Sequence, residues 1–247
     1  MANTWNPFTI ASSVTLSGGD LIATATSNNE TGNLKGLYVV PAGGGYFEIT
    51  SNPQGNVKIG ICTPLWDLLT KSIWQNSPYS VAYELNNGKV WKNGVTLSTI
   101  QLATAAQINC FAVSSTHIWI RKQSGNWNNN ALADPATGVG GIAHGLTGFI
   151  SANGCVVNNG DKLTAAFASG SWTYSPPAGF GELEFADAES RVSQQFAVVA
   201  HLPDVPLAEA QARVSQQYII VAHSSTPMPP SGAFRYHQPI INLDDGP

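Results

Sequence analysis

Short runs of alternating apolar and polar residues, broken every few positions by Gly, Asn, Ser or Pro, occupy the chain up to about residue 180. A period of two marks half-buried β-strands. Residues 14–16 and 21–26 read as a hairpin around Ser17-Gly18-Gly19-Asp20, after a Trp-Asn-Pro opening at residues 5–7. Residues 36–40, 46–50 and 57–61 follow as strands. Residues 81–85 and 89–91 flank Asn86-Asn87-Gly88, where Asn-Gly supplies the positive φ angles of a tight hairpin turn. Residues 107–113 and 117–120 form a second pair joined through Ser114-Ser115-Thr116. Asn93-Gly94 and the Thr/Ala-rich residues 96–106 read as the connection between the two pairs. Residues 63–80 carry Trp66, Trp74 and Tyr79 but are interrupted by Pro64 and Pro78, so they predict no clean strand, with a helical turn at 65–69.

After Arg121 the pattern fades into a long Gly/Asn/Asp-rich loop, too polar to be core, that ends in a strand at 163–167 and a rigid Pro176-Pro177 turn. Trp119 and Phe167, on strands expected to face inward, are the predicted core anchors. At least ten short strands and no long amphipathic helix pattern predict an all-β domain of two packed antiparallel sheets.

Past Gly181 the character changes. Residues 186–201 recur as 208–223, an offset of 22 positions, with Arg191/Arg213, Val192/Val214, Ser193/Ser215, Gln194/Gln216 and Gln195/Gln217 identical. Each copy carries an apolar run of strand length after an Ala/Glu-rich lead. Isolated two-stranded ribbons are marginal in water, so these runs are expected to add to the sheet of another copy or another protein. Arg191, Val192, Phe196, Val198, Arg213, Val214, Tyr218 and Ile220 are the candidate assembly residues. The later Pro227, Pro229, Pro230 and Pro239 predict an extended tail. The domain organisation is therefore a sandwich over 1–183 and a strand-repeat arm with Pro-rich tail over 184–247.

Composition sharpens this picture. Charged residues are 11% of the chain, so solubility rests on hydroxyls and amides. Residues 1–180 hold eight Lys and Arg against seven Asp and Glu, whereas the remainder holds three against eight. A nearly neutral sandwich with an acidic arm lacks the clustered basic footprint that nucleic acid requires. Cys62, Cys110 and Cys155 are widely spaced without a CxxC pair, which predicts neither zinc nor a disulfide framework; Cys62 and Cys110, in apolar runs, read as buried small hydrophobes. The N-terminal MANTWNPFTI has no basic and apolar signal segment, and no apolar stretch approaches the roughly 20 residues needed to cross a bilayer. The expectation is synthesis in a cytoplasm without classical export or membrane insertion.

Candidate chemistry is sparse. His117, His144, His201, His223 and His237 are scattered without HxH or HExxH spacing, so neither metal nor cofactor is expected. A glycosidase would need two of Asp67, Asp134 and Asp161 astride a sugar, but Asp beside Gly or Pro in a loop ordinarily caps a turn. A binding surface has better material: Trp66, Trp74, Tyr79 and Trp127 in loops, with Asn128, Asn129, Asn130 and Asp134 beside the last. Flat rings cover apolar faces while amides satisfy hydroxyls or backbone groups. The plainer reading is that these rings plug the ends of a sandwich.

Several segments in order, Tyr46-Phe47-Glu48-Ile49, residues 57–61, the Asn87-Gly88 to Asn93-Gly94 hairpin, the residues around Trp127, Asp134-Pro-Ala-Thr-Gly138 and Thr173-Tyr-Ser-Pro-Pro-Ala-Gly-Phe180, resemble SPRY domains, especially those in bacteriophage proteins. The resemblance covers residues 1–183. Ala166-Phe167-Ala168 departs from the usual NFG of the family, keeping the Phe and changing the turn. The resemblance implies a SPRY-like β-sandwich that binds rather than catalyses, and the two repeats are similar to tandem segments of tailed-phage structural proteins. The expected function is a structural virion protein, a tail adsorption or receptor-binding component anchored through its arm, with capsid decoration as the alternative. Expected partners are other virion proteins, further copies of the chain, and a host surface glycan or protein. A glycan-degrading enzyme on a lectin-like sandwich is the rival of another class.

Overall fold

The computed structural model describes residues 3–28, 32–52, 57–66, 77–101 and 106–184. The chain divides into two units, Met1–Asp187 and Ala188–Pro247. The second lies wholly outside the described residues, and with it the repeats and all eight candidate assembly residues.

Among the described residues the secondary structure is β1 (Trp5–Ile10), β2 (Val14–Ser17), β3 (Ile22–Ala25), β4 (Gly32–Val39), β5 (Gly45–Asn52), β6 (Lys58–Cys62), β7 (Ser80–Glu84), β8 (Lys89–Lys92), β9 (Val95–Thr99), β10 (Ile108–Val113), β11 (His117–Lys122), β12 (Ile142–Ala143), β13 (Ser151–Val156) and β14 (Lys162–Ala166), with three short 3-10 turns. The first sheet has the order β1-β4-β13-β6-β7-β8-β9 and the second β12-β11-β10-β5-β14-β3-β2. All the strand pairings are antiparallel. The fold is the all-β, two-sheet sandwich that the pattern predicts.

The inter-sheet core follows from alternation. Phe47 and Ile49 of β5, Phe111 and Val113 of β10, and Ile118 and Ile120 of β11 face Ile59 and Ile61 of β6, Val81 and Tyr83 of β7, and Leu34 of β4, all in one buried cluster. Phe47 stacks on Phe111 with ring centroids 4.9 Å apart, and Phe167 meets the edge of Trp5 at 5.0 Å.

Four strands lie where the sequence predicts none: β1, β9, β13 and the two-residue β12, which pairs with β11. β1 contains Pro7, which an edge strand tolerates because its outer N–H groups need no ladder partner; β1 is the edge of the first sheet. β9 is the opposite edge, inside the Thr-rich stretch read as a connection. Its hairpin with β8 turns at Asn93 (φ 48°) and Gly94 (φ 75°), the positive pair a tight primed turn requires. β13 corrects the reading of residues 122–162 as one loop. It sits between β4 and β6, and all six of its residues are buried. Ser-Ala-Asn-Gly-Cys-Val gives no apolar alternation because both faces are covered and small residues fit there. A Cβ at Gly154 would meet Leu163 Cδ1 at 2.6 Å.

Trp119 also needs correction. It is buried, but on the opposite side of β11 from Ile118 and Ile120, in a separate cluster on the outer face of the second sheet. Phe167 lies in the inter-sheet core as predicted. Phe167→Ala should therefore lower the unfolding free energy by about 3–5 kcal/mol, read as a shift in the urea midpoint at unchanged slope.

Candidate functional site

The outer face of the second sheet is built from two cross-strand rows. In one, Trp119 of β11, Ala112 of β10 and Tyr46 of β5 lie side by side; in the next, Arg121, Cys110 and Glu48 do. The middle strand contributes small side chains in both rows, leaving a trough between larger neighbours. Trp127, Trp172, Tyr174 and Phe180 pack into this cluster.

Glu48 anchors the closing segment over that trough. Its carboxylate is buried and accepts from the Tyr46 hydroxyl at 2.8 Å, the Tyr174 N–H at 2.7 Å and the Thr173 N–H at 2.8 Å. Burial pushes the Tyr46 phenol far up, so it remains a donor. Trp172 donates to the Ala166 carbonyl at 3.1 Å and meets Tyr46 edge to face. Arg121 completes the clamp: its guanidinium stacks 4.3 Å from the Trp127 ring centroid and lies 6.0 Å from that of Tyr174, and it donates to the Ser175 carbonyl at 3.3 Å.

The Asn-rich loop is fixed by the chemistry of its amides. Asn128 and Asn129 adopt φ of 49° and 54°, a left-handed conformation that Asn tolerates better than most residues. The Asn128 side chain then pairs with β11 as a neighbouring strand would. Its Oδ1 accepts from the Ile120 N–H at 2.9 Å, and its Nδ2 donates to the carbonyls of Ile118 at 3.3 Å and Gly140 at 2.9 Å. Asp134 caps the 3-10 turn Pro135–Thr137, accepting from the Ala136 N–H at 3.0 Å and the Thr137 hydroxyl at 3.2 Å. Trp119 donates to the Val139 carbonyl at 2.9 Å. Gly141 passes so close over that indole that a Cβ there would meet Trp119 Cζ2 at 2.6 Å.

The predicted site residues do not converge. Trp127 is 8% exposed, pressed under Arg121. Trp66 is 3% exposed on the outer face of the other sheet, clustered with Cys62, Ala82 and Cys155 and 5.8 Å from the Lys35 ammonium. Tyr79, just ahead of β7, is partly exposed, and Trp74 lies outside the described residues. Asn128 and Asp134 are structural, as above. Asn129 and Asn130 are exposed, although Asn130 Oδ1 accepts from the Leu132 N–H at 3.0 Å. Of the carboxylates considered for a glycosidase, Asp67 is outside the described residues. Asp161 is buried and binds the backbone and side-chain N–H groups of Asn158 at 2.9 and 3.2 Å. Asp134 and Asp161 sit at opposite sides of the second sheet, beside β12 and β3. The three cysteines are buried and free of disulfides; burial pushes the Cys62 thiol up to about 11 and the Cys110 thiol upward as well.

What the loop does create is an open groove of about 440 Å³. Leu97 and Ser98 of β9 form one wall, Ile142 and Ala143 of β12 the other, with Asn128, Asn130, Gly140 and Gly141 beside them. Val95, Leu97, Leu132 and Val139, on β9 and on this loop, are four of the five large hydrophobic side chains exposed among the described residues. The sequence reading misses this groove because it treats β9 as a connection and β12 as loop. The signal available was Val95 and Leu97 immediately after an Asn-Gly turn.

With the geometry established, comparison with known proteins places the architecture. No family model matches the sequence, and no curated protein matches it. Among solved structures, the TRIM65 PSpry domain superposes with a TM-score of 0.51 at 13% identity, over 67% of this chain and 90% of that chain. The stonustoxin structure gives 0.50 at 12% identity, over 67% of this chain and 27% of that chain. The SPRY domain of human HERC1 gives 0.49 at 12% identity, over 66% and 96%. The fold is a SPRY-like β-sandwich.

Glu48→Gln should cost about 2–4 kcal/mol, because an amide presents one acceptor oxygen and turns its own N–H groups toward a backbone donor. Urea unfolding followed by tryptophan fluorescence checks this; a midpoint within error of the native protein would show that the closing segment does not depend on the carboxylate.

Proposed function

We propose that this chain is a non-enzymatic virion component of a tailed bacteriophage, whose sandwich serves as a binding module in host adsorption. The observation that carries the binding part is the groove between β9 and β12. It is an open concave surface of mixed character, with Leu97, Ile142 and Ala143 beside Ser98 and the amides of Asn128 and Asn130, held by a loop whose backbone is pinned at Asn128, Asp134 and Gly141. Aliphatic area supplies affinity and a few placed polar groups supply orientation. The non-enzymatic part is supported by the roles of Asp134, both of whose oxygens are engaged by turn donors, and of Asp161, whose Oδ2 is engaged likewise.

The virion part rests on the resemblance to bacteriophage SPRY proteins and on the repeated segments 186–201 and 208–223. Two equivalent apolar runs, each needing a partner strand, suit attachment to a repetitive particle. The partners are other virion proteins and further copies of the chain, and the host ligand is a surface glycan or protein.

Purified particles from the producing host should contain the protein at structural copy number by quantitative mass spectrometry. Deleting residues 188–247 should remove it from particles while the sandwich stays folded and in solution. Its absence from native particles would refute the reading. Leu97→Asp and Asn130→Ala, both in the groove lining, should on incorporated protein slow adsorption by about tenfold, equivalent to about 1.4 kcal/mol, with melting temperatures within about 2 °C of native; unchanged adsorption would move the ligand surface away from the groove.

A further inference from the structure

His144 directly follows β12 and is wholly buried. One ring nitrogen, Nε2, lies 3.1 Å from the Ser114 carbonyl, which accepts and so requires N–H at that position. The other, Nδ1, accepts from the Leu146 N–H at 3.0 Å. Opposite roles at the two nitrogens define the neutral Nε2–H tautomer. The backbone of the same residue is engaged as well. Its N–H donates to the Thr116 carbonyl at 3.1 Å, and its carbonyl accepts from the Lys92 ammonium at 2.7 Å, which also reaches the Gly145 carbonyl at 2.8 Å.

This residue therefore ties three elements together. Ser114 belongs to the β10–β11 turn, Lys92 to β8 of the other sheet, and Leu146 to the connection leading into β13. Leu146 and Ile150, both on that connection, are inserted into the inter-sheet core. The connection starts at Ala143, which lines the groove.

An imidazolium cannot keep these contacts. Its Nδ1–H would point at the Leu146 N–H, setting donor against donor in a buried place where no water compensates. The groups that bear on it electrostatically are Lys92 of β8 and His117 of β11, and both disfavour a second positive charge. Burial, the largest cause, depresses the His144 pKa below the usual histidine value; the Ser114 hydrogen bond opposes it, and weaker repulsion from Lys92 and His117 adds to the lowering.

We propose that His144 is an acid-sensitive latch: protonation expels its imidazole from between Ser114 and Leu146, frees the connection between β12 and β13, and opens the groove side of the sandwich. The sign follows from the depressed pKa. The latch contributes fully above the unfolded histidine value of about 6.5 and loses its contribution as pH falls through the lower folded value. Once released, Leu146 leaves the core and adds apolar surface beside Ala143. The groove is thus one surface at neutral pH and another in mild acid.

The test is amide hydrogen exchange on the full chain at about pH 7.5 and about pH 5, corrected for intrinsic rates, with parallel NMR titration of the His144 ring nitrogens. The Leu146 amide should lose protection by up to about tenfold for each pH unit as pH falls from the unfolded histidine value toward the folded one, and level off below it. The Ile59 and Phe111 amides, in the centre of the sheets, should keep theirs. Loss of Leu146 protection should share its midpoint with the His144 ring, and His144→Gln should abolish the pH dependence. Three results would overturn the latch: Leu146 protection that is the same at both pH values, protection lost in step with Ile59 and Phe111, or a midpoint different from that of His144. None of the three depends on a variant folding.

Discussion

A single buried carboxylate holds the outer layer of this sandwich in place. Among the described residues no ammonium or guanidinium pairs with Glu48; three short hydrogen bonds, from Tyr46 and from the N–H groups of Thr173 and Tyr174, satisfy it instead. Removing an ionised carboxylate from water is costly unless its lone pairs are filled. Filling them demands one position of the closing segment. That position sets Trp172 against Tyr46 and Tyr174 beside the Arg121 guanidinium, which in turn holds Trp127 down. Arg121 stands two strands away across Cys110, about 10 Å at ordinary strand spacing. Its charge acts on the trough as a whole, and its direct bonding is to Ser175. The closing segment and the seat of Trp127 trace back to that one constraint, while the Asn-rich loop holds itself on β11 through Asn128.

The parts of the fold legible in sequence are those whose inter-sheet face carries large apolar residues. β5, β6, β7, β10 and β11 place aliphatic or aromatic residues there at alternate positions, even though their outer faces are also largely covered. β13 was illegible because its close-packed neighbours leave room only for small side chains, so its residues are chosen for volume rather than hydrophobicity. Asn153 there is wholly buried yet reads as a loop residue. Trp119 shows the same difficulty from the other side. Alternation establishes that Trp119 differs in facing from Ile118 and Ile120, but it does not say which face is the core when both are buried. A second hydrophobic layer, supplied here by segments more than fifty positions later in the chain, cannot be read from local period.

The candidate site divides along similar lines. Asn128, Asp134 and Trp127 were visible as unusual residues in a polar loop, and their types do explain the loop: Asn for left-handed backbone and strand mimicry, Asp for capping, Trp for filling the trough. Sequence could not separate these building roles from ligand contact, because the same hydrogen-bonding groups serve both. His144 was equally opaque. A lone histidine in a Gly-rich loop gives no sign that both its nitrogens face backbone groups from different elements, Ser114 at the β10–β11 turn and Leu146 just beyond it.

The division has a consequence for recognition. Residues that would be flexible in an ordinary loop of this length are held by backbone geometry and by side chains that spend their hydrogen bonds inward. A surface so held loses little conformational entropy when a ligand docks. With 11% charged residues and an almost neutral sandwich, long-range steering contributes little to encounter. Affinity must come instead from contact area and from low reorganisation. In the proposed binding role, Leu97 of β9 and Asn130 of the held loop, which line one groove, would meet the ligand in this way. The latch at His144 then matters more than its position behind the groove suggests, since on a rigid surface the release of one connection is a discrete change of shape.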